Sequence, residues 1–392
     1  MYADYLIVGA GFTGSVLAER LASQANQRVF VIERRDHIGG DAYDYRNEHG
    51  HLVHRYGPHV FHSDNPRVFE YLTQFTKWRN YTHRAKANVD GKLIPIPFNL
   101  ESLYALFPSK QASRMELLLK AYYGAEKSVP ILRLRKCKYN ELRELGNYVH
   151  AKIYEGYTKK MWGLYPDELD TGVTARVPVW ITWKDDYHHT RYTGVPDLGY
   201  TNLFNKMLSH KLITVLKNTD YREVKNVIRH KFLIYTGPID EFFNHKYGHL
   251  PYISMRFEAK TIAKEWYQSV AQINFPGEES YIRMTEQKHI TGQIDRQTTI
   301  VAEYPEIYRH GQNQPHYPVL TDTNRELHRK YLEEAAKLKN TIFVGRSADY
   351  KYYNIAQSVS RALSLFDQMQ FSVNLKCTLK TRNRQEPFVA PV

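Results

Sequence analysis

Cysteine is nearly absent from this chain. Two of its 392 residues are cysteine, Cys137 and Cys377. So small a number excludes a disulfide framework and fits a reducing compartment. We therefore expect stability to come from a packed core, which a hydrophobic content of 42% and an aromatic content of 14% can supply.

Long apolar runs are missing as well. No stretch approaches the roughly 20 apolar residues that a membrane-spanning helix needs, so we predict no integral membrane segment. The first residues do not resemble a secretory signal, because Asp4 interrupts the apolar pattern and a glycine motif follows at once. Together with the scarcity of cysteine, these absences predict a cytoplasmic protein.

Acidic residues are too few to balance the basic ones. Lysine and arginine number 54 against 41 aspartate and glutamate, which gives a net charge of +13. Such an excess can serve nucleic acid or an anionic membrane surface. Here the basic residues are scattered and no nucleic-acid motif accompanies them. We therefore predict solvated basic faces and a site for phosphates, with no nucleic-acid partner, and a loose membrane-surface association stays open.

The most informative motif lies near the start of the sequence. An apolar run leads into Gly9, Gly11 and Gly14, a helical pattern follows, and a second apolar run ends on Glu33. This order is typical of a dinucleotide-binding unit: the glycines admit a pyrophosphate at a helix N-terminus, and the acid accepts ribose hydroxyls. A glycine-rich turn without a ligand is the alternative. The later pair Gly39-Gly40 resembles flavoproteins of the glutathione-reductase and amine-oxidase type, which favours FAD over NAD.

The order of predicted elements indicates an α/β fold made of interleaved segments. We predict an FAD-binding Rossmann-like domain, an inserted helical domain and an antiparallel β-sheet domain. Hairpins are expected at 78–96 and 227–235, and a last helix at 354–369 precedes a polar, poorly ordered tail. The predicted boundaries are 1–78, 192–242 and 318–370 for the FAD-binding domain, 100–191 for the helical domain with a substrate lid, 79–99 and 243–317 for the sheet domain, and 371–392 for the tail.

Further motifs follow one another in order along the chain. They are Gly57-Pro58-His59-Val60-Phe61-His62, Pro95-Ile96-Pro97-Phe98-Asn99-Leu100, the segment from Gly156 to Gly163, Arg176-Val177-Pro178-Val179, the segment from Arg191 to Pro196, Gly199-Tyr200-Thr201, Arg283 with Glu286, Lys288 and His289, Glu303-Tyr304-Pro305, and Tyr317-Pro318. This set resembles the UDP-galactopyranose mutases of the bacterial type, over about residues 3–370.

The resemblance implies an isomerase, an intramolecular transferase that interconverts UDP-galactopyranose and UDP-galactofuranose for cell-surface polysaccharide. It implies an FAD that is active when reduced, whose N5 attacks the anomeric carbon as UDP leaves, with no net redox change. An external reductant such as NAD(P)H and a homodimer are also implied. Two arginines would pair with the diphosphate, because guanidinium forks bind phosphate oxygens and keep their charge. A helix end carrying Trp162 would act as a lid that excludes water.

Residue roles follow from the matching motifs. The resemblance implies catalytic roles for Arg176, Arg283, His59 and His62. It implies substrate contacts from Asn99, Tyr157, Trp162, Arg176, Tyr187, Asn274, Arg283, Tyr317 and Tyr352. It implies cofactor contacts from Gly9, Gly11, Phe12, Thr13, Gly14, Glu33, Arg34, Gly39, Gly40, Tyr56, His59, Gly345 and Arg346. No metal site is predicted, because no third ligand has suitable spacing to His59 and His62.

The sequence also departs from the family's pattern. Lys351 and Asn354 stand where the family usually has arginine and aspartate, and Ile153-Tyr154 stand where an aromatic pair commonly sandwiches the uracil. These departures leave the sugar open, so a mutase acting on a UDP-N-acetylhexosamine stays an alternative. Two further hypotheses are a net-redox FAD-dependent oxidase of the amine-oxidase type and a catalytically silent protein that binds FAD or a nucleotide sugar.

Overall fold

The computed structural model describes the backbone of residues 1–169 and 178–382, together with the side chains up to residue 370, apart from that of Asp167. No helix among these residues is long and apolar enough to cross a membrane.

The strands, numbered along the chain, are β1 (Tyr2–Val8), β2 (Val29–Ile32), β3 (Asp44–Arg46), β4 (Leu52–His54), β5 (Phe61–Ser63), β6 (Trp78–Arg79), β7 (Ala85–Val89), β8 (Lys92–Ile96), β9 (Ser128–Val129), β10 (Val179–Trp180), β11 (Tyr192–Pro196), β12 (Ile213–Leu216), β13 (Arg229–Tyr235), β14 (Tyr252–Ile262), β15 (Gln272–Asn274), β16 (Arg283–Glu286), β17 (Thr298–Ile307), β18 (Tyr317–Pro318) and β19 (Thr341–Phe343).

The α-helices are α1 (Phe12–Ser23), α2 (Pro66–Thr73), α3 (Leu100–Leu106), α4 (Ser109–Tyr123), α5 (Ile131–Leu134), α6 (Asn140–Val149), α7 (Gly156–Trp162), α8 (Tyr200–Met207), α9 (Tyr221–Val224), α10 (Ile239–Phe242), α11 (Gln287–Thr291), α12 (Asp322–Ala335) and α13 (Ile355–Arg382). A π-helical turn, His150–Glu155, joins α6 to α7.

A five-stranded parallel sheet carries the glycine motif. Its strand order is β12-β2-β1-β13-β19, and Val8 at the end of β1 lies between Ile32 and Tyr235. Helices α1 and α13 pack against each other over a core that contains Val16, Leu17 and Val359. The carboxyl ends of these parallel strands therefore meet at one edge, where ligands bind in sheets of this kind.

The hairpin predicted at 227–235 is wrong. This segment contributes the single strand β13, which lies parallel to both β1 and β19. Leu233 and Ile234 are almost completely buried. A strand inside a parallel sheet is covered on both faces, so its apolar run is continuous and its pairing cannot be told from the pattern.

A seven-stranded sheet forms the second layer, in the order β18-β14-β17-β16-β15-β7-β8. The predicted antiparallel pairing holds throughout except between β15 and β7, which are parallel. β7 and β8 form a hairpin through Asp90 and Gly91, both with positive φ, as predicted for this turn. The hairpin was predicted to begin at residue 78, but Trp78 and Arg79 form β6, which pairs with β11.

Helices α3 to α6 form a third group, which shares a core with β7 and β8 that contains Leu103, Met115 and Leu142. The last helix is longer than predicted. α13 continues to Arg382 and so passes through the first part of the segment for which a poorly ordered tail was expected.

Candidate active site

A cleft of about 580 Å³ extends from the carboxyl edge of the parallel sheet to the seven-stranded sheet. Ligand sites commonly have volumes of about 300–1,000 Å³. Its lining contains Gly9 and Glu33 at one end and Tyr187 and Arg283 at the other. We call these the cofactor end and the substrate end. All thirteen predicted cofactor residues line the cleft.

The glycines make a narrow cradle at the cofactor end. Gly9 has a φ of +101°, which favours glycine, and a side chain on Gly14 would overlap the carbonyl oxygen of Gly9. A Cβ on Gly40 would lie 3.0 Å from the Cα of Gly11. The Gly39-Gly40 turn thus faces the first turn directly, at the start of α1. Gly11 provides no side-chain cap there, which leaves the N–H groups of the first helical turn for an anion.

Glu33 is held at the end of β2 by the same turn. It is buried, its Oε2 accepts a hydrogen bond from the N–H of Ala10 at 2.9 Å, and its Oε1 accepts one from the N–H of Arg35 at 3.0 Å. Each carboxylate oxygen has a second lone pair. Glu33 is therefore fixed in place and can still accept a ribose hydroxyl.

Positive charge is concentrated beside the cradle. Arg35 and Arg346 both pair with Asp41, Arg35 at 3.0 Å. Burial raises the pKa of Asp41, but Arg346 and Arg35 outweigh it and hold the pKa far below its usual value. Within the described residues, Nη1 of Arg35 is buried without a hydrogen-bond partner. An orphaned guanidinium nitrogen beside a glycine cradle fits the pyrophosphate of FAD.

Imidazoles line the cleft between its two ends. The Nδ1 of His59 lies 3.0 Å from the carbonyl oxygen of Gly57, and burial lowers the pKa of His59 to about 4. The rings of His62 and His188 are stacked, with centroids 3.6 Å apart. Burial lowers the pKa of both, and that of His83 falls to about 4 for the same reason. These groups are neutral at pH 7, so they are polar and add no charge.

Arg283 supplies a cation at the substrate end. It lies directly opposite Glu303 in the ladder of β16 and β17, and its Nε and Nη2 donate to the two carboxylate oxygens at 2.8 and 2.5 Å. Burial alone would lower the pKa of Arg283, but Glu303 raises it well above its usual value. A guanidinium has five N–H donors, so this two-point contact leaves donors for a ligand.

Tyrosines surround this cation. Tyr187, Tyr317 and Tyr352 line the cleft, and the rings of Tyr317 and Tyr352 are 5.2 Å apart. Burial raises the pKa of Tyr187 and of Tyr317, although Arg283 opposes both shifts. Their hydroxyls therefore stay protonated at neutral pH and can donate to phosphate oxygens. The guanidinium of Arg346 lies 5.5 Å from the Tyr317 ring, which connects the two ends of the cleft.

Helix α7 packs beside the substrate end. Tyr157, Met161 and Trp162 belong to an apolar cluster with Tyr317, and the rings of Trp162 and Tyr317 are 6.1 Å apart. Lys160 donates to the carbonyl oxygens of Phe275 and Tyr281. Tyr157 and Trp162 are therefore next to the cleft, although they are not among its lining residues.

Other predicted residues have different surroundings. Asn99 caps α3: its Oδ1 accepts from the N–H of Ser102 at 3.0 Å, and its Nδ2 donates to the carbonyl oxygen of Lys184 at 2.9 Å. Asn274 lies opposite Arg283 in the sheet and accepts from Gln272. Arg176 lies outside the described residues. The substrate and catalytic roles of these residues stay predictions.

Among the lining residues that sequence reasoning missed, four belong to the site as described here: Arg35, Asp41, His83 and His188. Two of them had a signal. Arg35 stands two positions after Glu33, and His188 follows Tyr187 in a double histidine. Asp41 and His83 had none, because their importance depends on burial and on partners far away in the sequence.

Comparisons with known proteins agree with this geometry. The profile of the family described as UDP-galactopyranose mutase matches residues 152–352, and that of an NAD(P)-binding Rossmann-like domain matches residues 7–75. A probable UDP-galactopyranose mutase of Klebsiella pneumoniae is 34% identical, over 94% of this chain and 95% of that protein. A dTDP-fucopyranose mutase of Escherichia coli is 30% identical, over 91% of this chain and 96% of that protein.

The fold also matches solved structures. A crystal structure of reduced UDP-galactopyranose mutase superposes with a TM-score of 0.73 at 15% identity, over 94% of each chain. The predicted fold class, α/β with an FAD-binding Rossmann-like domain, is thus confirmed.

Proposed function

Because the chain belongs to the UDP-galactopyranose mutase family, we propose that it interconverts UDP-galactopyranose and UDP-galactofuranose with reduced FAD as its cofactor. One observation carries this proposal: a single cleft joins the glycine cradle to Arg283 and its tyrosines. A net-redox oxidase is not favoured, because the family profile covers the segments that supply Tyr187, Arg283 and Tyr317. A catalytically silent binding protein is not favoured either, because the cleft combines a cofactor end with a substrate end.

The cofactor end accounts for FAD binding. The cradle of Gly11 and Gly40 admits the pyrophosphate, Arg35 pairs with it through its free nitrogen, and Glu33 accepts the ribose hydroxyls. When bound and reduced, FAD supplies a nucleophilic N5 for the anomeric carbon, so the isomerisation involves no net redox change.

The substrate end accounts for the nucleotide sugar. A diphosphate that enters the cleft brings about two negative charges, which are costly to bury without partners. Arg283 offers the guanidinium donors that Glu303 leaves unused, and Arg176 is proposed as the second cation. Tyr187, Tyr317 and Tyr352 donate hydrogen bonds from their hydroxyl groups without adding charge. His59 and His62 line the cleft as neutral imidazoles.

Helix α7 excludes water from the reacting centre. Trp162 packs toward Tyr317 at the substrate end, and Lys160 attaches the helix to the loop after β15. An anomeric carbon that has lost UDP reacts readily with water, so a covered site favours return of UDP over hydrolysis.

Product analysis tests the proposal. The purified flavoprotein is incubated with UDP-galactofuranose, with and without dithionite, and the products are separated by chromatography. We expect conversion to UDP-galactopyranose that depends on dithionite and consumes no stoichiometric reductant. Absence of conversion, while the reduced flavin is oxidised by another substrate, would refute the mutase and support an oxidase.

The identity to the Escherichia coli relative makes dTDP-fucofuranose a second candidate substrate. This sugar nucleotide differs from UDP-galactofuranose in its base, in its pentose and in the absence of the 6-hydroxyl group of the hexose. It is assayed beside UDP-galactofuranose and the UDP-N-acetylhexosamine analogue under the same reducing conditions. We expect UDP-galactofuranose to have the highest kcat/KM. A higher value for either of the other two compounds would reassign the substrate.

The reductant, the assembly and the location complete the proposal. We infer that NAD(P)H reduces the flavin, that the protein is a homodimer and that it acts in the cytoplasm. Anaerobic bleaching of the flavin by NADH or NADPH and the mass in solution by light scattering test the first two.

A further inference from the structure

A cluster of histidines and one aspartate lies at the rim of the cofactor end. It consists of Asp240, His245, His249 and His310, and we call it the rim cluster. Asp240, His245 and His249 each offer one ligand atom, and these atoms lie within 4.8 Å of one another. His245 and His310 also line the cleft. None of these four residues has been given a role in binding FAD or the sugar nucleotide.

The backbone after α10 folds back to make this cluster. The N–H of His245 donates to the carbonyl oxygen of Asp240 at 2.8 Å, and the N–H of Gly248 donates to the carbonyl oxygen of His245 at 2.8 Å. The rings of His245 and His249 come within 3.9 Å, centroid to centroid. Two imidazoles from one short loop are thus placed over the Asp240 carboxylate.

The Asp240 carboxylate is incompletely satisfied. Asp240 is 3% exposed, and its Oδ2 accepts hydrogen bonds from the N–H of Leu250 at 3.0 Å and from Nδ1 of His245 at 3.1 Å. Its Oδ1 is buried and has no hydrogen-bond partner in the part of the chain that the structure describes. A buried carboxylate oxygen without a donor is costly, and a cation would remove that cost.

Two nitrogens and a carboxylate oxygen are a ligand set for zinc. Bonds of about 2.0–2.2 Å in a tetrahedral site place neighbouring ligand atoms about 3.4 Å apart. The 3.1 Å between Nδ1 of His245 and Oδ2 of Asp240 is close to that separation, so an ion can replace this hydrogen bond with little movement. Hard cations such as Mg²⁺ prefer oxygen ligands.

His310 completes the surroundings. Its ring centroid lies 4.7 Å from that of His245 and 5.7 Å from that of His249. Nδ1 of His310 lies 3.8 Å from Oε1 of Glu241, within the range of an ion pair but longer than a hydrogen bond.

We propose that Asp240, His245 and His249 form a zinc-binding site at the rim of the cleft, with His310 next to its fourth position. A bound ion would crosslink the loop at 243–249 to α10 and so stabilise the cofactor end of the cleft. The proposal does not depend on which sugar nucleotide the cleft accepts.

Zinc binding by the full-length flavoprotein without a histidine tag tests this proposal. The protein is treated with EDTA and desalted, then dialysed against increasing Zn²⁺, and zinc per chain is counted by mass spectrometry. His249→Ala removes one ligand from an exposed position, where folding is not at risk. His49→Ala removes an exposed histidine outside the rim cluster and is the matched control.

We expect one zinc ion per chain for the unaltered protein and for His49→Ala, and at least about tenfold weaker binding for His249→Ala. Zn²⁺ should raise the melting temperature of the first two proteins more than that of His249→Ala, and Mg²⁺ should raise none of them. Equal zinc uptake by all three proteins, no stoichiometric uptake by the unaltered one, or an equal effect of Mg²⁺ would overturn the proposal.

Discussion

The partly buried arginines at the two ends of the cleft differ in how many of them pair with one carboxylate. At the cofactor end Arg35 and Arg346 share the single carboxylate of Asp41, and Nη1 of Arg35 has no partner among the described residues. At the substrate end Arg283 is matched by Glu303 through two hydrogen bonds. Two arginines therefore pair with one carboxylate at the cofactor end, whereas the arginine described at the substrate end is matched one to one.

This difference is a physical argument for the second arginine that we propose. A sugar nucleotide diphosphate cannot be neutralised by an arginine that already serves a carboxylate one for one. Arg176 would supply a second positive charge for the diphosphate. This is a physical reason, independent of the sequence motif, for the role that the motif implies. The comparison also predicts that Arg283→Ala and Arg176→Ala differ in their effect on the free energy of unfolding.

The cofactor end should be the more sensitive to a single added atom. A Cβ on Gly11 meets only the Cα of Gly40, at 3.8 Å, so Gly11→Ala fits the folded chain but occupies space that the pyrophosphate needs. We expect bound FAD, and with it turnover, to fall at least about 100-fold, since the backbone can no longer approach the phosphates. Flavin absorbance after desalting measures this loss.

Gly50→Ala is the control for that variant. Gly50 has a positive φ and nothing within 4 Å of an added Cβ, so it reports backbone strain alone. If Gly11→Ala keeps its flavin, the cradle does not hold the pyrophosphate.

The cofactor end could be predicted from sequence because its parts are local. Gly9, Gly11, Gly14 and Glu33 belong to one strand–helix–strand unit, whose geometry fixes their relative positions. Asp41 belongs to the same end but was missed, because it joins Arg35 to a second arginine, Arg346, that is 305 positions away. The strand at 229–235 was misassigned for a related reason: a continuous apolar run does not specify its neighbours.

The substrate end depends on long-range packing, and sequence reasoning predicted its residues only through motif resemblance. Arg283 meets Glu303 only because β16 and β17 pair in one register. His83 and His188 acquire their depressed pKa values by burial, which no local pattern encodes. Tyr187, Tyr317 and Tyr352 come from three separate segments, and residue types alone would not have united them.

The next largest effect is expected from Arg283 and from Arg176, the second cation that we propose for the diphosphate. Arg283→Ala leaves the Glu303 carboxylate buried without its cation, so we expect a loss of about 3 kcal/mol in the free energy of unfolding and at least about a 100-fold loss of turnover. Arg176→Ala should lower turnover to a similar degree with little change in stability. Both variants should keep their flavin.

Arg256→Ala is the matched control on the same sheet. Its ion pairs with Glu258 and Glu306 are exposed, and such pairs contribute about 1 kcal/mol or less. Denaturant unfolding and kcat/KM are measured for all three variants. Loss of FAD from Arg283→Ala and Arg176→Ala would place both arginines at the cofactor instead.

The loss of stability in acid tests whether the imidazole of His188 is neutral in the folded protein. The folded pKa of His188 is depressed to about 2 by burial. Its contribution to stability is therefore complete above its unfolded pKa of about 6.5 and is lost as the pH falls below that value. Because Phe keeps a flat ring against His62 but cannot be protonated, we expect His188→Phe to lose about 1–2 kcal/mol less than the unaltered protein between pH 7 and pH 5.

The measurement is denaturant unfolding at both pH values. His49→Phe, which changes an exposed histidine, should show the same acid sensitivity as the unaltered protein. An identical loss for His188→Phe would mean that this imidazole is protonated in the fold.

The smallest effect concerns Asn99, whose role differs most between sequence motif and structure. Its amide oxygen accepts from Ser102 and its amide nitrogen donates to the carbonyl oxygen of Lys184, so both ends of the amide are used inside the protein. We expect Asn99→Ala to lower the free energy of unfolding by about 1 kcal/mol through loss of the helix cap. Asn99→Ser keeps a capping oxygen and should recover most of that loss. If Asn99 acts as a cap, kcat/KM changes less than about twofold in both variants once the enzyme is folded.

A KM for the sugar nucleotide that rises equally in the Ser and Ala variants, without a matching loss of stability, would instead show that the amide leaves its cap to contact the substrate. The cleft would then extend beyond the residues that line it in this conformation.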